Sequence, residues 1–411
     1  MAGSVATSGR ARTGTTYREV FAVREFRTLW LAQLLSIAGD QFARLALTVL
    51  VYDRTRSALL AAVTFAASYA PMVIGSLTLG WLADSYPRRT IMTGSDLISL
   101  ALVLAMTVPG MPVAALVALL GLVSLAGAPF MSARSATNRE VLGKELYQRG
   151  TAITMTTYQV GGIVGYAVGG VIVAVTGTRG ALFVDAATFA ASALLIRIWV
   201  VRRPAAGGAH GPRSPQLMSG IRLVFGNRVA RTAVLISWLV AFVSVPEGIS
   251  APLGHALGGG PATVGLLLTV MAAGAAAGPV LYSSRLVSAA WRMRLTAVLA
   301  AAACAVLMLF AFRPSLVPAL LILGGSGLAS CYLVSENAAF YEAVPNEHRG
   351  KAGGVANAGM VLGQSVMMIA AGAVAIHIGA QAAIAISGAA GTTLAVMLAI
   401  SWRKILPELQ Q

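Results

Sequence analysis

The sequence predicts an all-α integral membrane protein with twelve transmembrane helices arranged as two six-helix bundles. Of the 411 residues, 57% are hydrophobic and 11% are charged, against roughly 25% charged residues in an ordinary soluble domain. Apolar stretches near the length of about 20 residues that a spanning helix needs recur twelve times along the chain. The basic residues fall almost entirely on alternate connecting loops, as the loops of a multi-pass protein do.

Each apolar stretch predicts one span, and the spans divide into two sets of six. The first set lies near 29–52, 58–82, 90–108, 111–131, 152–176 and 180–201, and the second near 232–253, 262–282, 295–312, 315–335, 353–377 and 380–402. The predicted organisation is therefore a polar tail with an interfacial segment (1–28), an N-terminal bundle (29–201), a linker (202–231), a C-terminal bundle (232–402) and a short tail (403–411). Both tails and the linker are predicted to be cytoplasmic.

The connecting segments predict the orientation. Of the 30 basic residues, 25 lie on the two tails and the even-numbered loops, if Arg197 at the end of span six is counted with them. Arg44 lies inside a span. The odd-numbered loops, on the other side, hold only four: Arg54, Arg56, Arg179 and Arg313. Positive residues stay inside, so both termini are predicted to be cytoplasmic in a multi-pass protein of the cell membrane. The net charge of +16 then faces anionic lipid headgroups, and a nucleic-acid partner is not expected.

One loop marks a membrane surface by its charges. An apolar run ends in Gly80-Trp81-Leu82-Ala83-Asp84-Ser85-Tyr86-Pro87-Arg88-Arg89, and another apolar run begins at Thr90. Charge at the bilayer centre costs several kcal/mol, so this hinge must sit at a surface. The counterpart in the second half, 278–285, has Tyr282 where the alignment would put the acid.

Two further patterns indicate a duplicated, closely packed bundle. An offset of about 202 residues aligns Ala133-Arg134-x-Ala136 and Glu140 with Ser335-Glu336-x-Ala338 and Glu342, as a repeat of six spans would. In span five, Gly161, Gly165 and Gly169 recur every four residues, with Gly170 beside them. Such a face lets a neighbouring backbone approach closely, so generic glycine packing explains it as well as a functional motif does.

Together these motifs resemble the major facilitator superfamily and, within it, the drug-export branch with macrolide- and siderophore-efflux members. The segment 80–89 is similar to the family loop G-x-L-a-D-x-x-G-R-[RK]. The segment 161–170 is similar to the antiporter motif G-x-x-x-G-P-x-x-G-G, with Tyr166 in place of its proline. Shorter matches, in the family order, are Phe26-Arg27-x-Leu29-Trp30, Gly39-Asp40, Ala133-Arg134, Asp185 with Phe189, and Pro345-x-x-x-Arg349-Gly350.

The resemblance implies the major facilitator fold and export by alternating access. The expected substrate is a small, largely apolar molecule such as an antibiotic, another drug or a secondary metabolite, exchanged for protons. Its other expected partners are membrane lipids, and we expect a monomer that needs no cofactor. The resemblance also implies a cytoplasmic gate motif made by Gly80, Asp84, Arg88, Arg89 and Arg134, in which Asp84 bridges to another helix end, with Arg134 as the preferred partner.

The charges inside spans indicate where protons bind, because such residues are rare and usually functional. Asp40 and Arg44 lie four residues apart, hence on one helix face and within reach of each other. Asp40 is the predicted proton carrier with Arg44 lowering its proton affinity; a static ion pair that orients helices stays open. Glu247, at a bend expected at Pro246, is the third candidate and is equally well explained as an outer helix-end acid.

Other acids and one missing residue qualify this assignment. Asp185 resembles a structural acid, whereas Asp96 is expected within a turn or two of the cytoplasmic surface, near Arg88 or Arg134; Glu336 is equally ambiguous. Many drug/proton antiporters carry an arginine within R-x-x-Q-G in span four, but residues 116–131 contain no charge. Proton coupling therefore cannot be transferred from that residue.

Several function classes lack support. No P-loop pattern (GxxxxGK[ST]) is present, so an ATP-driven pump within this chain is excluded. The four histidines are scattered, Cys304 and Cys331 lie in apolar runs, and neither an enzyme nor a metal site is predicted. The alternatives that stay open are a lipid or lysophospholipid flippase of the same fold and a non-transporting membrane sensor, against which Asp40 and Arg44 argue.

Overall fold

The fold is a bundle of long helices. The computed structural model describes residues 17–205, 207, 214–283 and 288–407, and these contain no β-strand. Large apolar side chains such as Phe312, Val175 and Leu321 are more than 70% exposed on the outside of the bundle. Such an outer surface suits lipid rather than water, because soluble monomers rarely expose contiguous apolar patches of this kind.

The first half of the chain forms six crossings, α1 to α6. Helix α1 is Arg24–Thr55, α2 is Ala58–Thr78 and α3 is Arg88–Met106. The next helical stretch, Val113–Trp199, has 87 residues. As one straight helix it would be about 130 Å long, several times the roughly 30 Å core of a bilayer. Non-helical backbone at Gly143 and Gly177 divides it into α4 (113–142), α5 (144–176) and α6 (178–199).

The second half repeats this arrangement with α7 to α12. These helices are Arg228–Gly248, Pro261–Tyr282, Trp291–Phe312, Leu316–Ala343, Arg349–Ile378 and Ala380–Ile405. Ten helices in the described residues are long and apolar enough to span a membrane, and the 87-residue one accounts for three crossings. The total fits the predicted twelve. We call α1–α6 the N-terminal half and α7–α12 the C-terminal half.

Two of the helix interruptions lie next to prolines. Helix α2 is interrupted at 67–69, just before Pro71 at the start of its second segment. Helix α7 is segmented around Pro246 and leads into Ser250–Ala256, so the bend predicted there is confirmed. Proline removes a backbone donor and clashes with the preceding turn, which breaks a helix interior.

The polar ends of two spans are more regular than the sequence predicted. Helices α4 and α10 continue to residues 142 and 343 instead of entering polar loops at 132 and 336. Their last turns are rich in helix-forming residues and end at Gly143, which has a positive φ of 61°, and at Val344, where the backbone becomes extended. Before α1, a short helix Tyr17–Ala22 lies in the predicted interfacial segment.

The linker contains one helix, Ser214–Gly226, where an amphipathic piece was predicted at 216–225. The tail 1–16, residues 206 and 208–213, residues 284–287 and the last four residues lie outside the described part of the chain.

The two ends of the bundle differ in how the halves meet. We call the end that carries Arg88, Glu140 and Arg203 the basic end, and the end that carries Arg56 and His255 the opposite end. At the opposite end α2 lies directly on α11: a Cβ atom on Gly372 would lie 2.6 Å from the Cβ of Ala62. The close contact of α5 with α8 at Gly170, and that of α1 with the segment after α7 at Arg56 and His255, lie at the same end. The halves are thus closed together at the opposite end.

Candidate functional site

The site is built on the polar face of α1. Arg44 donates from Nη1 to the hydroxyl of Tyr69 at 2.8 Å, to Oε1 of Gln41 at 3.2 Å and to the hydroxyl of Tyr166 at 3.4 Å. Its guanidinium also lies 4.3 Å from the centroid of the Tyr69 ring, a cation–π contact. The arginine is therefore held between α1, α2 and α5 by neutral partners.

Asp40 lines the same cavity as Arg44, as their spacing predicted. Among the described residues, however, no ion pair within 4 Å joins the two side chains. The Nη1 atom of Arg44 is instead shared by the two tyrosine hydroxyls and Gln41, while its Nε atom has no hydrogen-bond partner. A static Asp40–Arg44 pair is not the arrangement found here.

Tyr69 extends the network across the two halves. Its hydroxyl donates to Oε2 of Glu247, at 3.5 Å, on α7. The chain Arg44–Tyr69–Glu247 therefore connects the face of α1 to the C-terminal half through a single phenol. Glu247 lies at this interface next to the Pro246 break, where the helix backbone turns aside.

Two more acids reach the same cavity. Asp96 is 3% exposed and accepts a hydrogen bond from Ser192 at 2.6 Å; a pair with Arg88 or Arg134 is not among its described contacts, although Arg134 lines the same cavity. Asp96 lies eight residues into α3, about 12 Å or two turns along the helix. Asp185 is 1% exposed and packs against the backbone of Gly39, where any Cβ atom would collide with its carboxylate.

The glycines of α5 serve two different contacts. Gly161, Gly165 and Gly169 pack against Ile37, Gln41 and Phe42 of α1, inside the N-terminal half. Gly170 instead faces α8, where a Cβ atom on it would lie 2.9 Å from the Cα of Gly265. The helical spacing correctly predicted a close-packed face, but only the last glycine of the four contacts the other half.

Tyr166, which occupies the position of the motif's proline, is 6% exposed and its hydroxyl accepts from Arg44. The tyrosine in place of the motif's proline thus supplies a hydroxyl group to the site, and α5 is continuous through this position.

At the basic end, one of the predicted gate residues, Arg88, joins a network of ion pairs. Arg88 pairs with Glu140 at 2.6 Å, Glu140 pairs with Arg203 at 3.0 Å, and Arg203 pairs with Glu25 at 2.6 Å. The hydrogen bond to Glu25 raises the pKa of Arg203 above its ordinary value; partial burial opposes the shift, and the charges of Glu25 and Glu140 add to it. Arg89 donates to the carbonyl of Val200. This network ties the ends of α1, α3, α4 and α6 together.

Arg134 does not join that network. It is 4% exposed, donates from Nη2 to the sulfur of Met131 and stacks at 5.8 Å over Tyr158, while its Nε and Nη1 atoms have no hydrogen-bond partner. Its described contacts therefore do not include the predicted bridge to Asp84. Gly80 packs closely on the carbonyl of Ser76.

The opposite end carries a contact that the sequence analysis missed. Arg56, in the left-handed backbone region at φ 53°, places Nη1 3.1 Å from Nε2 of His255 in the other half. Tyr52 contacts the same imidazole edge-to-face at 5.8 Å between centroids. No sequence signal marks this pair, because its members are 199 residues apart.

The other missed residues carried partial signals. Tyr69 lies one residue before the Ala70-Pro71 break in an otherwise apolar span, and Glu140 lay within the repeat match. Arg203 and Glu25 could not have been matched, since only the fold brings the linker to the start of α1. No group of three or more His, Cys, Asp or Glu side chains that could hold a metal ion is found among the described residues.

Comparisons with known proteins agree with this geometry. At 27% identity over 313 residues, the chain is similar to the multidrug efflux pump Tap of Mycobacterium tuberculosis, covering 71% of this chain and 72% of the relative. It is similar to macrolide efflux protein A of Streptococcus pyogenes at 22% identity over 237 residues, covering 56% and 58% of the two chains.

Solved structures with the same fold include a POT family transporter in complex with 5-aminolevulinic acid, with a TM-score of 0.75 and 10% identity over 94% of this chain and 97% of that one. A bacterial homologue of the human lysosomal transporter Spinster, in an inward-facing and occupied conformation, has a TM-score of 0.69 and 14% identity over 95% and 97%. These similarities establish the architecture of two six-helix bundles.

The Major Facilitator Superfamily profile matches residues 29–251 and 248–410, nearly the whole chain from α1 to the C-terminus. The chain of transmembrane helices, the polar face of α1 and the proteins it resembles describe a transporter and not an enzyme. The protein belongs to the Major Facilitator Superfamily.

Proposed function

We propose that the protein exports small, largely apolar molecules across the cytoplasmic membrane in exchange for protons, by alternating access. The observation that carries this proposal is the chain Arg44–Tyr69–Glu247, which joins ionisable groups of both halves inside the membrane. Ionisable groups at that depth are costly and mark ion or substrate pathways. The efflux activity named for its relatives supports the direction of transport.

The proposed cycle follows from the asymmetry of the two ends. With the basic end at the cytoplasm, the closed opposite end corresponds to an inward-facing state. Rocking of the halves would part the contacts of Gly170 with α8 and of Arg56 with His255. The closure of the basic end would then use the hinge of Gly80, Asp84, Arg88 and Arg89, which belongs to that end.

Proton binding is assigned to Asp40, with Arg44 and Glu247 as its partners. When Asp40 is ionised, it attracts the Arg44 guanidinium; when it is protonated, Arg44 is left to Tyr69 and, through it, to Glu247. Binding or release of a proton at Asp40 would thereby change the strength of the hydrogen-bonded link between the two halves, so that the proton gradient would drive the conformational change.

The test is transport in proteoliposomes with an imposed pH gradient. The macrolide erythromycin serves as substrate, and the wild-type protein is compared with Asp40→Asn and with Asp53→Asn, an exposed acid at the end of α1. We expect gradient-driven transport in the wild type and in Asp53→Asn, and at least a tenfold loss in Asp40→Asn. Full gradient-driven activity in Asp40→Asn would remove the coupling assignment, and movement of lysophospholipid without any drug would favour a flippase.

A further inference from the structure

Three aspartates line one cavity inside the N-terminal half. The cavity has a volume of about 420 Å³, and its walls in the described part of the chain all belong to α1–α6. Asp40 comes from α1, Asp96 from α3 and Asp185 from α6. Its other titratable or charged side chains are Arg44, Arg134, Tyr69 and Tyr158. Because these walls come from one half, the cavity forms without any contact between the two halves.

Two of the three acids lie side by side, deep in the bundle. Arg24 stacks on Trp199 at 3.7 Å, so the start of α1 and the end of α6 lie at the same depth, at the basic end. At 1.5 Å per residue from there, Asp40 lies about 24 Å in and Asp185 about 21 Å in. The carboxylate of Asp185 packs against Gly39, the neighbour of Asp40. We call Asp40 and Asp185 the inner pair.

Hydroxyl groups border the space between the inner pair and the third acid. Asp96 lies nearer the basic end, about 12 Å into α3, so a gap of about 10 Å separates it in depth from the inner pair. Ser99 lies about 16 Å into α3, and Ser36 lies about 18 Å into α1. Both serines line the cavity. The acids are therefore joined in depth by polar side chains.

Buried donors without a protein partner face the same cavity. These atoms are Nε2 of Gln33, Nε of Arg44, and Nε and Nη1 of Arg134. Gln33 is 2% exposed and Arg134 is 4% exposed. An unsatisfied buried donor is costly, most of all when it is charged. Water satisfies such groups in polar cavities, and at about 30 Å³ per molecule this cavity has room for roughly a dozen water molecules.

Polar atoms continue from the cavity toward the basic end. Thr93 lies three residues before Asp96 on the same face of α3, and Asn138 lies four residues after Arg134 on the same face of α4. Thr93 Oγ1 and Asn138 Oδ1 are both buried without a hydrogen-bond partner in the described part of the chain. They lie about 6 to 8 Å from the basic ends of their helices. A polar path thus leads outward from Asp96.

Toward the opposite end, the walls of the cavity become apolar. Val103, Met106 and Leu120 line that part of the cavity and belong to a buried apolar cluster with Leu182. Water is held poorly among such side chains, because they offer it no hydrogen bonds. With the halves closed at the opposite end, the polar connection of the inner pair therefore runs toward the basic end.

We propose that Asp96 relays protons from the inner pair to the basic end, through water held in this cavity. The proton leaves the carboxyl group of Asp40 or Asp185, moves along water and the serine hydroxyls, and protonates the Asp96 carboxylate. Asp96 then releases it to water on the cytoplasmic side. The relay rests on the proposed export function for Asp40 as the coupling acid, and it adds the route. Protons then pass through one half, and the space between the halves is left to the substrate.

The first test follows protons without any transport. Purified full-length protein in lipid nanodiscs is mixed rapidly with heavy water, and infrared spectroscopy follows the carbonyl stretching bands of protonated carboxyl groups. Asp40→Asn and Asp185→Asn identify the bands of the inner pair by their loss. We expect these bands to exchange at least tenfold more slowly in Asp96→Asn than in the wild type, because the route to the basic end is interrupted.

Ser192→Ala is the matched control for this substitution. Ser192 donates to Oδ2 of Asp96 at 2.6 Å, which links α6 to α3. The variant removes this hydrogen bond and keeps the acid, so the exchange rate should stay within threefold of the wild type. Asp96→Asn keeps an acceptor for Ser192, and its thermal unfolding temperature should stay close to that of the wild type.

The second test separates proton movement from substrate movement in proteoliposomes. Asp96→Asn should lower erythromycin export driven by a pH gradient at least tenfold. It should change the exchange of labelled for unlabelled erythromycin at equal pH less than twofold. Exchange needs the halves to rock but needs no net release of protons, so a merely structural role of Asp96 would lower both rates.

Three results would overturn the relay. They are exchange of the inner-pair bands at the wild-type rate in Asp96→Asn, the absence of any protonated band from Asp40 and Asp185, and equal losses of gradient-driven export and of exchange in Asp96→Asn. The export proposal fails separately. A wild type that moves no erythromycin, with slowed deuterium exchange in Asp96→Asn, would remove the export proposal and keep the relay.

Discussion

The two halves share a fold but differ in what they bury. Among the described residues, the interior of the N-terminal half holds Asp96, Arg134 and Asp185, with Asp40 and Arg44 partly buried beside them. The C-terminal half buries one acid, Glu336, and supplies most of an extensive apolar core that also includes Ala58 and Ala62 of α2. One half is built around a polar cavity and the other around packed hydrocarbon.

The repeat makes this difference specific. Arg134 and Glu336 occupy equivalent positions, yet Arg134 lines a cavity, whereas Glu336 lies in the apolar core with its Oε2 atom unpartnered. Duplication of a six-helix unit accounts for the shared helices, and the asymmetry lies in the side chains that each copy places in its interior. The C-terminal half then acts on the site from outside, through Glu247 at the interface.

The strongest test of this asymmetry removes one buried charge from each half. Arg44→Gln should lower gradient-driven export at least tenfold, because it breaks the bond through Tyr69 to Glu247 and leaves three acids opposed by Arg134 alone. Glu336→Gln should lower it less than twofold. Transport in proteoliposomes measures both, and similar losses in the two variants would mean that the halves contribute equally.

A second test concerns the seam where the halves touch. Gly170→Val should reduce export about tenfold, because its side chain would meet the α8 backbone at Gly265 and hold the opposite end apart. Gly162→Val is the control, with open space at its Cβ position. Export rates should separate the two, and normal export by Gly170→Val would show that the seam tolerates a gap.

A third test separates the two tyrosines that hold Arg44. Tyr69→Phe removes the only described hydrogen bond to Glu247 and should lower export severalfold. Tyr166→Phe removes only the 3.4 Å bond from Arg44, within the N-terminal half and longer than the 2.8 Å bond from Arg44 to Tyr69, and should cost less than half as much. The ratio of the two export rates is the readout, and the reverse order would show that the link between halves matters less than the support of Arg44 inside one half.

The smallest expected effect is at the opposite end. Replacing His255 by lysine would set a fixed positive charge against Arg56, and the repulsion would weaken the closure of that end. Spin labels at Asp53→Cys and Gly260→Cys, with Cys304 and Cys331 replaced by alanine, report the separation of the halves.

The distance distribution should broaden slightly toward longer values in His255→Lys and stay unchanged in His255→Gln, which keeps a neutral hydrogen-bond acceptor. A shift of equal size in His255→Gln would assign the change to loss of the imidazole and not to the added charge.

Much of the fold was predictable because it follows from local composition. Apolar runs of membrane length require helices, since a bilayer offers the backbone no other partners, and those runs gave both the spans and the two halves. Helix ends were less predictable: residues 132–142 are polar yet helical, because a helix can leave the membrane without changing its hydrogen bonds. The bend at Pro246 followed from covalent chemistry alone.

The site was predictable only in part. Helical spacing placed Asp40 and Arg44 on one face. It could not show that Arg44 would hydrogen-bond to Tyr69 and Tyr166 and would form no ion pair with Asp40. Nor could it place Asp96 and Asp185 in the same cavity, since α3 and α6 meet α1 only after the bundle forms.

By itself, the sequence determined that the chain crosses a membrane many times in two repeated halves, with a few costly charges inside. That outcome depends on the burial of apolar side chains and on helical periodicity, which are properties of neighbouring residues. The tertiary structure alone decided which charges meet, that the cavity belongs to one half, and that Glu247 reaches Arg44 through a tyrosine. Those contacts join residues more than a hundred positions apart, and packing, not local pattern, brings them together.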